Sequence, residues 1–209
     1  MASRLVLIAL VMGVALAVPL DRFEAEIRAY EALPRPAPGG TVFVGSSTIR
    51  LWGPALEREF ASFRAVNRGF GGATIAEITH YYPRLIKPLE PSRLIFYAGT
   101  NDVAEGHSAA QILQDYRAFV QTAGVPVAFV SMSIPPSRVQ YTTVYQEANR
   151  LIREAGYAYI DVSHCVQDAS GQPREELFLE DRLHMRPEGY ALWAPILRRY
   201  LEESCRPRP

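Results

Sequence analysis

Cysteine is scarce in this chain, with two residues in 209, Cys165 and Cys205. A disulfide framework is therefore excluded. In an oxidising compartment the two could pair, closing a loop of about 40 residues worth roughly 4 kcal/mol in the chain-entropy picture. The alternative is two unpaired thiols. A dominant charge is also missing: Lys and Arg number 22, and so do Asp and Glu. Without a basic block or an acidic tail, neither nucleic acid nor an anionic membrane surface is an expected partner. No internal repeat occurs. Of the four histidines, His80, His107 and His164 lack ligand spacing to the Asp181-x-x-His184 pair, so neither a metal nor another cofactor is expected.

A long hydrophobic run is absent too. The stretch after Arg4, Leu5 to Val18, is shorter than the roughly 20 residues that span a bilayer. One positive charge, an apolar core and then Ala15-Leu16-Ala17 fit a secretory signal over residues 1–17. Cleavage would leave a chain beginning near Val18, secreted or periplasmic, with no stable membrane span. An uncleaved N-terminal anchor is the alternative, and the absence of a nearby cysteine argues against a lipoprotein.

What is present suits one globular domain, with 48% hydrophobic residues. Residues 21 to 33 place Phe23, Ile27, Tyr30 and Leu33 at near-helical spacing, with Asp21 positioned to cap. The run from Pro34 to Gly40 reads as a connector. Short apolar stretches rich in Val, Ile, Phe and Tyr recur at 41–45, 63–67, 93–98, 126–132 and 158–162. Such continuous runs suit strands buried on both faces, hence a parallel sheet. Helical patterns lie at 108–122 and 142–155, and a last helix opens at Pro187. The alternation predicts a three-layer α/β/α sandwich, whose ligand site lies beyond the carboxyl ends of its strands.

At those ends stand Gly45-Ser46-Ser47, the glycine-rich turn 68–74, Gly99-Thr100-Asn101-Asp102, and Asp181-x-x-His184 before the last helix. Acyl transfer needs this inventory. A serine hydroxyl becomes a nucleophile when a histidine takes its proton, and a carboxylate holds the histidine in the useful tautomer. Glycine amides and an asparagine amide can stabilise the oxyanion. Each piece alone has a plainer explanation: a small-residue turn, tight strand–helix packing, a helix cap, a chance pairing. Their shared location carries the argument.

The chain also resembles the SGNH or GDSL-type hydrolases from about residue 41 to 195. "VFVGSSTIRLW" is similar to the first family block, with Ser46 in place of the usual aspartate. "NRGFGGAT", "GTND" and "DRLHMRPEGY" resemble the later blocks. The resemblance implies a flavodoxin-like sheet of five parallel strands over residues 41–204, with residues 18–40 as an N-terminal helix and connector. It implies ester or thioester hydrolysis without metal, on a small-molecule or glycan ester. Ser47 would be the nucleophile, Gly72 and Asn101 the oxyanion donors, Asp181 the orienting acid and His184 the base. Asp102 is a rival orienting acid. An acyltransferase, a catalytically silent binding protein and a flavin- or nucleotide-binding flavodoxin-like domain are competing readings. Tyr81, Tyr82, Tyr141 and the segment 133–143 are candidate site walls, or else core and surface loop. Trp52 and Trp193 read as packing residues. Short connections leave little room for a lid, which favours an open site and small or water-soluble acyl groups.

Overall fold

A computed structural model describes residues 21–205, without the side chain of Cys205. The expected signal segment 1–17 and the candidate pairing of Cys165 with Cys205 therefore lie outside the described residues. Five strands form one sheet, all parallel: β1 (Thr41–Gly45), β2 (Val66–Gly69), β3 (Arg93–Tyr97), β4 (Val127–Val130) and β5 (Ala158–Ile160). Their spatial order is β2-β1-β3-β4-β5, the doubly wound order in which chain direction switches beside β1. The fold is the expected α/β/α sandwich.

The continuous apolar runs have a simple cause. Alternate residues along each strand feed opposite faces of the sheet. Val42, Val44, Leu94, Phe96 and Phe129 point into one apolar layer. Phe43, Ile95, Tyr97, Ala128 and Val130 point into the other. Helices α1 (Glu24–Glu31), α3 (Ile75–Leu85), α5 (Ala109–Ala123) and α6 (Thr142–Glu154) cover the first layer. Helices α2 (Ser47–Glu59) and α7 (Pro187–Cys205) cover the second. A short helix α4 (Thr100–Ala104) follows β3. Trp193 is fully buried and Trp52 lies 4.8 Å from the Tyr190 ring, so both are packing residues. Tyr81 and Tyr82 belong to the core on the α3 side and line no active-site wall.

Several details differ from expectation. The second strand starts at Val66 rather than at residue 63, because Ala61–Phe63 form a tight turn and Arg64 takes φ 50, which no strand accommodates. It then runs to Gly69, held in register opposite Gly45. β4 and β5 end early, as Ser131 turns its hydroxyl to accept from the Val162 and Ser163 amides at 2.8 and 2.9 Å. At α1, Asp21 contributes its carbonyl, which accepts from the Glu24 N–H at 2.9 Å, rather than a side-chain cap.

β1 is an inner strand of this frame, between β2 and β3, and Gly45 at its end has no space for a side chain. An added Cβ would stand 2.1 Å from the Tyr97 carbonyl oxygen and 2.9 Å from Ile49. Gly45→Ala is therefore expected to cost about 1–3 kcal/mol, read as a lower urea midpoint with an unchanged m-value.

Candidate active site

The strand-to-helix turn at Gly45 sets the first group. Ser46 is extended and buried, and its N–H donates to the Tyr97 carbonyl at 3.1 Å, prolonging the ladder by one residue. Its own carbonyl accepts from the Ile49 and Arg50 amides, both at 3.1 Å, which starts α2. Ser47 is thus the first residue of the helix. Its N–H belongs to the first turn, where amides have no partner within the helix, and its hydroxyl stands half-exposed at the carboxyl edge of the sheet.

The second group comes from the loop before α7. A bridge between Phe178 and Met185 and a hydrogen bond from Leu179 N–H to the His184 carbonyl at 2.8 Å close this loop tightly. Inside it, Asp181 Oδ1 accepts from the Leu183 and His184 amides at 2.9 and 3.0 Å. Asp181 Oδ2 lies 2.6 Å from His184 Nδ1, and His184 Nε2 lies 2.9 Å from Ser47 Oγ. Desolvation pushes the Asp181 carboxyl upward, but the two amides and the imidazole outweigh it and hold the group at about 2. A carboxylate that stays charged at Nδ1 fixes the proton there, leaving the Nε2 lone pair toward the serine.

Asn101 supplies a third group. It lies in the first turn of α4, and its Nδ2 donates to the Ala73 carbonyl at 3.0 Å, leaving one N–H uncommitted. Arg138 forks onto Asn101 Oδ1 with both terminal nitrogens at 3.2 Å and donates to the Thr100 carbonyl at 2.8 Å. With its oxygen clamped, the Asn101 amide cannot flip. The sequence reading missed Arg138; it stands within the segment 133–143, in a short 3₁₀ stretch that bears no motif.

Gly72 is placed less directly. It adopts φ +79, where L side chains are strained, and has open space around it. It is exposed and does not line the cavity at Ser47; Asn101 reaches its turn through Ala73. Arg22 steadies that turn, donating to the Gly72 carbonyl at 3.2 Å while pairing with Glu77, which itself caps α3 with Thr74. Asp102 is elsewhere. It is fully buried, its Oδ1 accepts from the Ile75 amide at 2.9 Å, and burial raises its carboxyl to about 6. The carboxylate against His184 is that of Asp181.

Ser47, Thr48, Asn101, Ser133, Arg138 and His184 line a cavity of about 20 Å³. A larger cleft of about 390 Å³ between Tyr30 and Arg84 includes none of these residues. The cavity has room for a group of few atoms, and its wall is largely polar. Tyr141, offered as a wall, does not line it.

A parallel α/β/α sandwich with serine, histidine and aspartate joined at its carboxyl edge is a frame for ester hydrolysis. The chain belongs to the GDSL-like lipase/acylhydrolase family, which matches residues 39–192, and it is an ester-hydrolysing enzyme. A candidate acylhydrolase from Bacteroides fragilis superposes with TM-score 0.75 at 19% identity, covering 90% of this chain and 98% of that one. A GDSL-like lipase from Bacteroides thetaiotaomicron gives 0.70 at 18% identity, with 89% and 98% covered. A catalytic variant of an acetylxylan esterase from Geobacillus stearothermophilus gives 0.61 at 12% identity, with 79% and 95% covered. At such identities the likeness concerns the fold. No curated protein matches the chain in sequence.

Two outcomes follow from the geometry. Arg138→Met is expected to lower kcat for an aryl ester about 10- to 100-fold with little change in KM, since it loosens a donor rather than removing it. In an Asn101→Ala background the same substitution should add almost nothing, which a double-mutant cycle measures. The pH profile is the second. The Asp181 carboxyl titrates near 2, below the unfolded value of about 3.9, so it stays charged through the working range. An activity loss on the acid side would therefore not come from Asp181. Asp181→Asn should lower the plateau by roughly 10²- to 10⁴-fold without abolishing the acid limb.

Proposed function

We propose that the chain is a serine esterase acting on short acyl groups through an acyl-serine intermediate. The supporting observation is His184, within hydrogen-bond reach of both Ser47 Oγ and Asp181 Oδ2 beside a cavity of about 20 Å³. Ser47 Oγ attacks the acyl carbonyl while His184 Nε2 takes its proton, with Asp181 stabilising the imidazolium. The Ser47 amide and the free N–H of Asn101 receive the oxyanion; the Gly72 amide, in the adjoining turn and off the cavity wall, is a third donor only on the family resemblance. Collapse expels the alcohol, protonated by His184. Water, deprotonated by the same nitrogen, then attacks the acyl-enzyme and releases the acid. Ser46 takes no part in this scheme; its buried backbone shapes the turn.

The small cavity favours acetyl or another short acyl group, and its polar wall suits a hydroxyl-rich alcohol. An O-acetylated sugar is the natural substrate class on both counts, consistent with the export expected from residues 1–17. In purified enzyme, p-nitrophenyl acetate should be hydrolysed with kcat/KM at least about tenfold above the octanoate ester, as expected when extra methylenes find no pocket. Acetate release from acetylated xylan should also be seen. Ser47→Ala should lose about 10³-fold or more, and Ser46→Ala should stay active. Retained activity in Ser47→Ala, or a preference for the octanoate ester, contradicts the assignment.

A further inference from the structure

Beside the proposed oxyanion donor, and outside the acyl-transfer scheme, lies a second group of chemically able side chains. Asp102 follows Asn101 in α4, His107 lies in the turn between α4 and α5, and Asp115 is in the second turn of α5. One ligand atom from each falls within 4.8 Å of the other two. Sequence spacing set His107 aside because it bears no relation to Asp181 and His184; the fold gives it different neighbours.

Two details separate this group from an ordinary surface cluster. Asp102 is fully buried, and while Oδ1 accepts from the Ile75 amide, Oδ2 has no partner. His107 Nδ1 is likewise buried and unpartnered, although Asp115 Oδ2 is only 3.3 Å away. That separation suits an ion pair, yet the alignment fails to make a hydrogen bond. The donors converge on shared space rather than on one another. Among the described residues no Lys or Arg pairs with Asp102 or Asp115, so the two carboxyl groups have His107 as their one basic neighbour. Buried polar atoms left without a partner, as Asp102 Oδ2 and His107 Nδ1 are, are costly unless a cation or a proton meets them.

We propose that Asp102, His107 and Asp115 form a site for a divalent first-row transition ion, with Zn²⁺ as the representative. One imidazole nitrogen and two carboxylate oxygens are a borderline donor set, softer than the all-oxygen cages that Ca²⁺ prefers and lacking the thiolates of structural zinc sites. Bonds of about 2.1 Å would draw the ligand atoms to roughly 3.5 Å apart. Small rotations of the half-buried His107 and Asp115 side chains can close that gap, because neither is locked by another ion pair among the described residues. The ion would tie α4 to α5 directly behind Asn101. It has no role in the bond-making steps, and the site stands whether or not Ser47 is the nucleophile.

The test uses the untagged full chain, stripped with a chelator and titrated calorimetrically with Zn²⁺, with melting temperature recorded in parallel. About one equivalent should bind with a raised melting temperature, and Ca²⁺ should bind far more weakly. His107→Gln and Asp115→Asn should each weaken Zn²⁺ binding by about a hundredfold or more, beyond the loss of a mere outer-shell partner. Circular dichroism of the stripped variants checks that they remain folded. No saturable binding, the result if the three donors hold only water, overturns the proposal. So does Zn²⁺ binding that survives both substitutions, which would place the ion elsewhere, or Ca²⁺ binding of equal strength.

Discussion

A hydrogen bond of 2.9 Å between Ser47 and His184 joins residues 137 positions apart in the chain. Its two ends are fixed by unrelated devices. On one side, Gly45 lets β1 approach the Tyr97 carbonyl so closely that the next residue continues the ladder and the one after begins a helix. On the other, Asp181 gathers two amides and an imidazole onto one carboxylate, making the loop before α7 self-bracing. Neither device depends on a long buried side chain, which suits a site open to solvent. Asp181 itself remains 47% exposed, and its strength as an acceptor comes from three short bonds rather than from burial.

Much of this was legible in the sequence because it rests on periodicity and on turn chemistry. Five apolar runs announced five strands, of which the edge strand β5 is buried only at Ile160. The serine, asparagine and Asp-x-x-His announced themselves by falling at the ends of those runs. What stayed hidden depended on conformations that residue types do not dictate. Arg64 in a left-handed conformation displaces the start of β2, although arginine has no preference for that region. Arg138 was invisible because a lone arginine in a proline-rich loop carries no pattern; only the fold aims its guanidinium at Asn101. The neighbourhood of Asp102, His107 and Asp115 is similarly a product of how α4 turns into α5. Gly72 could be singled out on sequence, but its distance from the cavity wall could not.

The N-terminal helix shows how far support for the site extends. α1 is short, yet Phe23 and Ile27 enter the core, with Phe23 set edge-on to Phe70 at 5.0 Å. Phe70 lies at the start of the glycine turn. Arg22, one residue earlier, reaches the same turn at Gly72 and the acid that caps α3. Apolar packing and a cation thus hold one loop from the same side, so α1 and Arg22 support the site region.

The two apolar layers meet only through the sheet, and this divides the site unevenly. Ser47 and the Asp181–His184 pair belong to the slab of α2 and α7, whereas Asn101 and the turn at Gly72 belong to the slab of α3, α4 and α5. Under the proposed mechanism, attack and proton transfer are internal to one slab, and oxyanion capture is a relation between two. A slight shear of one slab over the sheet would leave Ser47 as well aligned with His184 as before. It would change how well the proposed donors meet the tetrahedral oxygen, so on that mechanism turnover can be tuned without moving Ser47.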